Sequence, residues 1–216
     1  MLNHWLKPSR ISLTGKYVQI FPANTEADID ELYEASHVPS EYQVLWKYLW
    51  NGPFQTKSDM KSWLKSIEKK EDTLFFTVTS LERKRKIGMI AILNIEITMG
   101  RAEIGHIWYS PPVQKTMVNT ETTYLMLQYL FGELQYRRVE WKCDNNNKPS
   151  KATALRMGFM FEGLFRQHMV IKGKNRDTAW FSMLDREWPA RKSNFEKYLA
   201  NPSALSLREL NKAKEV

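Results

Sequence analysis

The stretch from Val139 to Phe159, VEWKCDNNNKPSKATALRMGF, decides the fold of this chain. Its first residues, 139–143, alternate apolar and polar side chains, which is the period of a half-buried strand. Three asparagines follow at 145–147, and asparagine favours turns because its side chain hydrogen-bonds the nearby backbone. Pro149 suits the first turn of a helix, and Gly158 suits a left-handed position that ends one. The stretch therefore predicts a strand, a short asparagine loop and a helix.

The same stretch carries a family resemblance. Its pattern N-x-x-S-x-x-x-A-x-x-x-G-F resembles the last conserved block of the GNAT N-acetyltransferases. The residues that form this pattern are Asn147, Ser150, Ala154, Gly158 and Phe159. The following run, EGLFRQHMVIKGKNRDTAWFSMLDREWP from Glu162 to Pro189, is similar to the RimJ/RimL-like subgroup of that family. The similarity extends from about Tyr17 to Pro189, which covers most of the chain.

Length and composition indicate a soluble, single-domain protein. With 216 residues the chain can bury one substantial core, and 43% hydrophobic and 26% charged residues are ordinary for a globular protein. No apolar run reaches the ~20 residues that span a bilayer, and the N-terminus lacks the apolar segment of a signal peptide. A single cysteine excludes an internal disulfide and a cysteine-cluster metal site. We expect a cytoplasmic protein without a metal.

The net charge of +8 permits three interpretations, namely nucleic-acid binding, attraction of an anionic cofactor, or a merely basic surface. The densest basic run, Arg83–Lys86, lies between two strand-like segments and is typical of a solvated hairpin turn. The other basic residues are dispersed, and no RNA- or DNA-binding motif is present. We therefore expect neither a nucleic acid nor a membrane as partner.

The hydrophobic periods predict the element order βααβββαβαββ, an α/β (α+β) fold. Its mixed central sheet has helices on both faces, and its central strand, Glu103–Tyr109, ends abruptly at two prolines. The resemblance implies the GNAT acyl-CoA N-acyltransferase fold with a splayed central strand. We divide the chain into an N-terminal extension (1–16), a GNAT domain (17–189) and a polar C-terminal appendage (190–216). Residues 194–199 and 206–213 are possible helices of that appendage.

The resemblance implies acetyl-CoA as cosubstrate. Ile107, Trp108 and Tyr109 would line its pantetheine arm, and Asn147 would contact the same arm. A loop of backbone N–H groups that enters a helix is also a ready anion site. Residues 114–120 form such a loop in this sequence. They match the family's pyrophosphate loop at the first residue, Gln114, but Met117 and Asn119 replace the two glycines of the family pattern. The predicted phosphate-binding residues are Gln114, Lys115, Thr116, Met117, Val118, Asn119 and Thr120.

Acetyl transfer needs a proton donor for the leaving thiolate and an acceptor for the amine proton. Ser150 matches the family position of the donor, although a hydroxyl in the first turn of a helix is as often a cap. Glu103 and His106 are the side-chain candidates for the base. Their odd spacing on a strand places them on opposite faces, so only one of them faces the cleft. Water is the alternative relay in many members of the family.

The acceptor pocket is predicted from an aromatic segment, His37–Phe54, and from the last hairpin. The predicted substrate-binding residues are Tyr42, Trp46, Trp50 and His168. A satellite core is the alternative for the aromatic segment, and a core position is the alternative for the histidine.

These observations predict an acetyl-CoA-dependent N-acetyltransferase that acts on a primary amine by direct attack in a ternary complex. A protein N-terminus and a small amine are both open as acceptors, and a homodimer is possible. The alternative is a catalytically inactive protein of the same fold that binds CoA or a partner. The two missing glycines favour that alternative, whereas the presence of both Asn147 and Ser150 argues against it.

Overall fold

The computed structural model describes residues 5–202 and 205–212. The chain divides into two compact units. The N-terminal unit comprises Pro8–Ile95 and Ile104–Leu125, and the C-terminal unit comprises the described parts of Met1–Lys7, Glu96–Glu103 and Met126–Val216. The chain passes between the two units four times, and the crossing after Glu103 falls inside a strand.

The strands form a mixed sheet in the order β1-β2-β3-β4-β5-β6-β8-β7. β5 pairs in parallel with β6 over Arg101–Glu103 only, which is the short register expected of a splayed strand. β8 pairs antiparallel with both β6 and β7. The strands are β1 (Leu13–Thr14), β2 (Val18–Pro22), β3 (Leu74–Ser80), β4 (Arg85–Glu96), β5 (Arg101–Tyr109), β6 (Arg138–Asp144), β7 (Met160–Ile171) and β8 (Lys174–Leu184).

Six α-helices are described, together with a 3₁₀ segment at Ser40–Tyr48 and a π-helical turn at Gln128–Glu133. They are α1 (Thr25–His37), α2 (Lys57–Glu68), α3 (Met117–Leu127), α4 (Lys148–Arg156), α5 (Trp188–Ala200) and α6 (Leu207–Lys212). The predicted element order and the mixed sheet are confirmed, and the structure adds β1 ahead of the first predicted strand. The predicted domain boundary at residue 190 falls within α5, and the second predicted tail helix lies partly outside the described residues.

Local sequence explains where the first helices begin. The side chain of Asn24 accepts the N–H of Ala27 at 3.0 Å and caps α1. Thr56 and Asp59 form a reciprocal capping box at the start of α2, which satisfies two backbone donors at once. These helices then pack on the sheet through a core cluster of the N-terminal unit that includes Leu32, Trp63 and Phe75.

The basic run at 83–86 is only partly the solvated turn that was predicted. Arg85 and Lys86 already belong to β4. The ammonium of Lys86 lies 2.9 Å from a carboxylate oxygen of Asp28, and Arg85 pairs with Glu34. The second half of the run therefore binds α1 through ion pairs.

A buried carboxylate joins two distant segments of the N-terminal unit. Glu121 of α3 accepts the backbone N–H groups of Lys16, Tyr17 and Val18 at 2.8, 2.6 and 2.9 Å. A Cβ at Gly15 would lie 2.4 Å from the Glu121 carboxyl carbon, so a side chain there would displace this carboxylate. Glu121 therefore fixes the entry into β2.

The residues after β8 pack within the C-terminal unit. Phe195 of α5 is fully buried, and Asn194 donates to the side-chain oxygen of Asn211 at 3.0 Å. Asn211 in turn donates to the carbonyl of Arg156 at the end of α4. These polar residues thus hold α5 and α6 onto α4.

None of the described helices is long and apolar enough to cross a membrane. Within residues 5–202 and 205–212, no group of three or more His, Cys, Asp or Glu side chains is arranged to hold a metal ion.

Candidate active site

The predicted site residues are found in both units. The N-terminal unit holds the aromatic segment, the last residues of β5 and the loop that enters α3, whereas the C-terminal unit holds Glu103, Asn147, Ser150 and His168. Each group has its own local geometry.

The end of β5 is anchored in the core of the N-terminal unit. Trp108 and Tyr109 are 3% and 6% exposed, and Ile107 is half-buried. Gly88 of β4 approaches so closely that a Cβ there would lie 2.1 Å from the Trp108 carbonyl oxygen. Because both aromatic side chains belong to the core, their predicted cofactor contacts would involve the backbone.

His106 is an aromatic-lined histidine with a left-handed backbone. Its φ of 50° interrupts the strand, so the alternation that was assumed between Glu103 and His106 does not continue through this residue. Its ring stacks on Trp63 with 5.3 Å between centroids and meets Phe75 edge-on at 5.0 Å. Burial lowers the pKa of His106 to about 4. The imidazole is therefore neutral near pH 7.

Part of the His106 side chain remains accessible, but its Nε2 atom is buried and has no hydrogen-bond partner among the described residues. A buried polar nitrogen without a partner is destabilising, and such atoms are uncommon in folded proteins. This atom is the clearest candidate in the N-terminal unit for contact with a ligand or with water.

Glu103, the other predicted base, is engaged in a buried ion pair. Its carboxylate lies 2.9 Å from the ammonium of Lys142, and that ammonium lies equally close to Glu140. The three side chains are at most 10% exposed, and Lys142 also stands 3.9 Å above the Trp180 ring. To act as a base, Glu103 would have to give up this partner. The arrangement is more typical of a structural ion pair.

The loop that enters α3 explains how the chain can lack the family's glycines. Met117 and Asn119 lie inside α3, where helical backbone needs no glycine. The one left-handed residue of the loop is Lys115, with φ 61°. Thr116 accepts the N–H of Val118 at 3.3 Å, and the side chain of Gln114 donates to the Tyr109 carbonyl at 3.0 Å. The loop is therefore held by its own side chains.

Accessibility differs along this loop. Gln114, Lys115 and Thr116 are exposed, whereas Val118 and Thr120 are buried. The exposed residues precede the helix, and the first amide groups of a helix have no partner within it. The segment is consequently a candidate anion site at the positive end of the helix dipole.

The start of α4 separates two roles that the sequence left open. Asn147 is the helix cap, since its side-chain oxygen accepts the N–H of Ser150 at 3.2 Å. Ser150 instead accepts the indole N–H of Trp141 at 3.0 Å. It also lies against Cys143, whose thiol pKa burial raises while the Ser150 hydroxyl opposes the rise. The cap interpretation thus applies to Asn147 and not to Ser150.

The aromatic segment does not form one exposed wall. Trp46 is fully buried within the core cluster of the N-terminal unit and stands 5.3 Å from Trp108 between ring centroids. Tyr42 is half-buried, and Trp50 is 56% exposed. Trp46 therefore lies in a core, as the alternative to an exposed wall held for this segment. Tyr42 and Trp50 remain predicted acceptor contacts.

A histidine that the sequence analysis left unassigned holds this segment in place. His37 accepts the Phe54 N–H at its Nε2 atom at 3.0 Å, and its Nδ1 atom lies 2.8 Å from the Ser36 hydroxyl. Its ring stacks on Tyr33 with 4.6 Å between centroids. A lone histidine at the end of a helix carries no periodic signal, so only the folded contact identifies this role.

His168 lies in the last hairpin beside aromatic rings. Its Nδ1 atom is 3.0 Å from the Thr178 hydroxyl, and Phe165 meets the ring edge-on at 5.4 Å. The neighbouring Gln167 has a left-handed φ of 49° within an irregular register of β7. The residue is half-buried, and it stays a predicted substrate contact.

A family model for the acetyltransferase (GNAT) domain matches residues 20–160, which is more than half of the chain. The chain belongs to the GNAT family of acetyltransferases. The acetyl-CoA-dependent acyltransferase class follows from this membership, and so does the fold's capacity to bind acetyl-CoA.

Individual relatives agree with the family. A GCN5-related N-acetyltransferase from Brucella melitensis is 40% identical, covers 97% of both chains and superposes with a TM-score of 0.93. A probable acetyltransferase of the GNAT family from Chromobacterium violaceum is 34% identical over 87% of this chain and 93% of its own, with a TM-score of 0.81.

The relative "Putative ribosomal N-acetyltransferase YdaF" of Bacillus subtilis (strain 168) is 31% identical over 105 residues. The match covers 49% of this chain and 57% of the relative, so the chain aligns with little more than half the length of YdaF. The substrate named for that protein is therefore no guide by itself to the substrate of this one.

Proposed function

We propose that this protein transfers the acetyl group of acetyl-CoA to a primary amine, either a protein N-terminus or a small amine, in a ternary complex. The amine nitrogen attacks the thioester carbonyl carbon, and the carbon–sulfur bond breaks. One group accepts the amine proton, and a separate group donates a proton to the leaving thiolate. The observation that carries this proposal is the loop from Gln114 to Thr116 and its entry into α3.

This loop supports binding of the pyrophosphate group. Thr116 uses its hydroxyl to accept only one first-turn amide, that of Val118, so it leaves room for an anion at the others. Lys115 is exposed and adds a cation beside the helix start. Because Met117 and Asn119 are helical, their side chains need not occupy the position of the phosphates. The loss of glycines is then compatible with cofactor binding.

Ser150 is the proposed proton donor for the thiolate of CoA. The indole N–H of Trp141 can only donate, so its hydrogen bond at 3.0 Å occupies a lone pair of the serine oxygen. The hydroxyl proton consequently remains available for another acceptor. The Ser150 hydroxyl also opposes the rise that burial causes in the pKa of the Cys143 thiol, so it favours a thiolate nearby, which is the form in which CoA leaves.

The amine proton is best assigned to His106 or to a water molecule bound by it. The neutral imidazole has a buried Nε2 atom without a protein partner, whereas Glu103 is held by Lys142. A pKa of about 4 makes the imidazole a weak base, because a general base is most effective when its pKa lies near the operating pH. Transfer through water is therefore part of this proposal.

The acceptor contacts proposed in the N-terminal unit are Tyr42 and Trp50, and the one proposed in the C-terminal unit is His168. All three residues are half-buried or exposed. Trp46 would support this wall from inside the core. We keep the cytoplasm as the predicted location of the reaction.

Calorimetric titration with acetyl-CoA, and with free CoA for comparison, tests the proposal. We expect micromolar binding of both, followed by release of free thiol when a suitable amine is added. An Asn119→Glu variant places a negative charge in the first turn of α3 and should bind acetyl-CoA at least about tenfold more weakly. Gln55→Glu is the matched control, because it adds the same charge at an exposed position of the same unit.

Failure of acetyl-CoA to bind up to millimolar concentration would exclude this function. Binding without thiol release for any primary amine would instead favour the inactive CoA-binding protein. Equal loss of affinity in Asn119→Glu and Gln55→Glu would mean that the phosphates bind away from α3.

A homodimer is the proposed assembly. The outermost strand of the sheet, β7, exposes Met160, Phe161 and Leu164 by 40–54%, and unpaired edge strands with apolar side chains are prone to association. Light scattering should give twice the mass of one chain, and Phe161→Glu should return the mass of one. A wild-type protein that scatters as a monomer at high concentration would exclude this assembly.

A further inference from the structure

A cavity of about 510 Å³ in the C-terminal unit is lined by arginines from three segments of the chain. Backbone hydrogen bonds hold the segments together, since Arg137 and Arg138 donate to the Gly100 carbonyl at 2.8 and 3.2 Å and Asp185 donates to the Arg137 carbonyl at 3.0 Å. The cavity therefore has a fixed floor. Its charged lining residues are Arg101, Arg137, Arg138, Asp185 and Arg186.

One of the four arginines is fully engaged behind the cavity. Arg138 donates to Glu162 at 2.7 Å and to Glu140 at 2.9 Å. Its side chain is 25% exposed and both partners are carboxylates, so the guanidinium is held in one orientation. Arg138 therefore lines the cavity as a fixed side chain, while the two carboxylates compensate its positive charge.

The positive charges of the other three arginines are mostly not compensated by nearby carboxylates. Arg101 comes no closer than 3.8 Å to Glu140, and Arg137 and Arg186 are exposed and form no ion pair with any residue that the structure describes. The single carboxylate of the lining, Asp185, accepts the backbone N–H of Arg186 at 2.8 Å. The cavity consequently carries an excess of positive charge.

Nothing in the proposed acetyl transfer uses these residues. Arg101 is the first residue of β5, whereas the predicted cofactor contacts are the last three residues of that strand. Three guanidinium groups around one cavity repel one another, and an anion would relieve that repulsion. The planar guanidinium fork matches the oxygen atoms of phosphate groups and can bind two of them at once.

We propose that this arginine cavity binds a small phosphorylated molecule, separately from acetyl-CoA. Its volume falls within the range of small-molecule sites. The charged lining comes from three short segments around one concave volume, which favours a small molecule over the phosphate backbone of a nucleic acid, because that backbone offers the same chemistry along an extended surface. The phosphate group would lie between Arg137 and Arg186, with Arg138 fixed behind it.

The test is calorimetric titration with inorganic pyrophosphate at low salt, for the free protein and for the protein saturated with acetyl-CoA. We compare the wild type with the double variant Arg137→Gln/Arg186→Gln. The control is Lys197→Gln/Arg208→Gln, which removes two positive charges from exposed positions of the same unit. We expect the wild type and the control to bind equally and the cavity variant to bind at least about tenfold more weakly.

Thermal unfolding of each variant checks that it is folded, and all four substituted residues are exposed. No binding by the wild type, or equal weakening in both variants, would overturn the proposal. Displacement of pyrophosphate by acetyl-CoA would also overturn it, because the probe would then occupy the cofactor site. If acetyl-CoA itself fails to bind, comparing the two double variants in the free protein still shows whether pyrophosphate binds in the arginine cavity.

A ten-nucleotide RNA supplies the last arm of the test. RNA binding that depends on Arg137 and Arg186, without pyrophosphate binding, would replace the small molecule by a nucleic acid. Pyrophosphate binding without RNA binding would support the cavity as a small-molecule site.

Discussion

The indole N–H of Trp141 donates to the hydroxyl oxygen of Ser150 over 3.0 Å, across the loop that joins β6 to α4. This hydrogen bond fixes β6 relative to α4 at Ser150, the residue that the family resemblance predicts to lie near the sulfur of CoA. The hydrogen bond also settles the orientation of the serine oxygen before any ligand binds.

Ser150→Ala should lower kcat about a hundredfold and leave the KM for acetyl-CoA almost unchanged, because a proton donor acts in the transition state. Steady-state kinetics with release of free thiol measure both constants. Trp141→Phe is the control, since it removes the indole N–H and keeps the hydroxyl, so its kcat should fall much less. An active Ser150→Ala enzyme would remove the serine from the mechanism.

Lys142→Met should destabilise the fold by about 3 kcal/mol, because it removes the ammonium from the buried Glu103 carboxylate, while Glu140 keeps its ion pair with Arg138. Denaturant unfolding at pH 7 measures the change. Adding Glu103→Gln to the same variant should recover part of the loss, because one uncompensated charge is then gone. A loss below about 1 kcal/mol in Lys142→Met would mean that the triad is solvated.

Lys115→Gly should raise the free energy of unfolding by about 1 kcal/mol, because a left-handed backbone is unfavourable for any residue with a Cβ. Met117→Gly should lower it by about 1 kcal/mol, because this residue is helical and glycine weakens a helix. Thermal or urea unfolding measures the two changes. A stabilising Met117→Gly would show that the loop follows the glycine-containing pattern of the family.

The protonation of His106 should make the fold less stable in acid. Burial lowers its pKa from 6.5 to about 4, so the unfolded chain binds more protons between these values. The contribution is complete above pH 6.5 and declines by up to about 1.4 kcal/mol per pH unit as the pH falls toward 4.

The measurement is the difference in unfolding free energy between the wild type and His106→Asn across that interval. His37, whose pKa burial also lowers, is present in both proteins and cancels in the difference. Parallel stability curves for the two proteins would contradict the buried, neutral state of His106.

Local sequence was sufficient for the parts of the fold that depend on neighbouring residues. The strand, asparagine loop and helix around Ser150 follow from alternation, turn chemistry and capping, and Asn24 and Thr56 start their helices for similar reasons. The left-handed backbone at His106 could not be predicted, because no glycine or asparagine marks it. The strand alternation that was used to place Glu103 and His106 on opposite faces therefore does not continue through His106.

Contacts between distant residues explain the remaining differences. Trp46 reads as part of an aromatic surface, but its burial depends on Trp63 and Trp108, which come much later in the chain. The sequence separation of Glu103 and Lys142 does not predict an ion pair, because only the parallel pairing of β5 with β6 brings the two residues together. The arginine cavity is equally invisible in sequence, since its segments are separated by tens of residues.

The carboxylate of Glu121 has a consequence for synthesis of the protein. It binds backbone groups of Lys16, Tyr17 and Val18, which were made more than 100 residues earlier. A growing chain therefore cannot complete the start of β2 until α3 has left the ribosome, and contacts of such long sequence separation slow folding. Until α3 supplies the Glu121 side chain, the first strands remain partly paired and accessible to other chains.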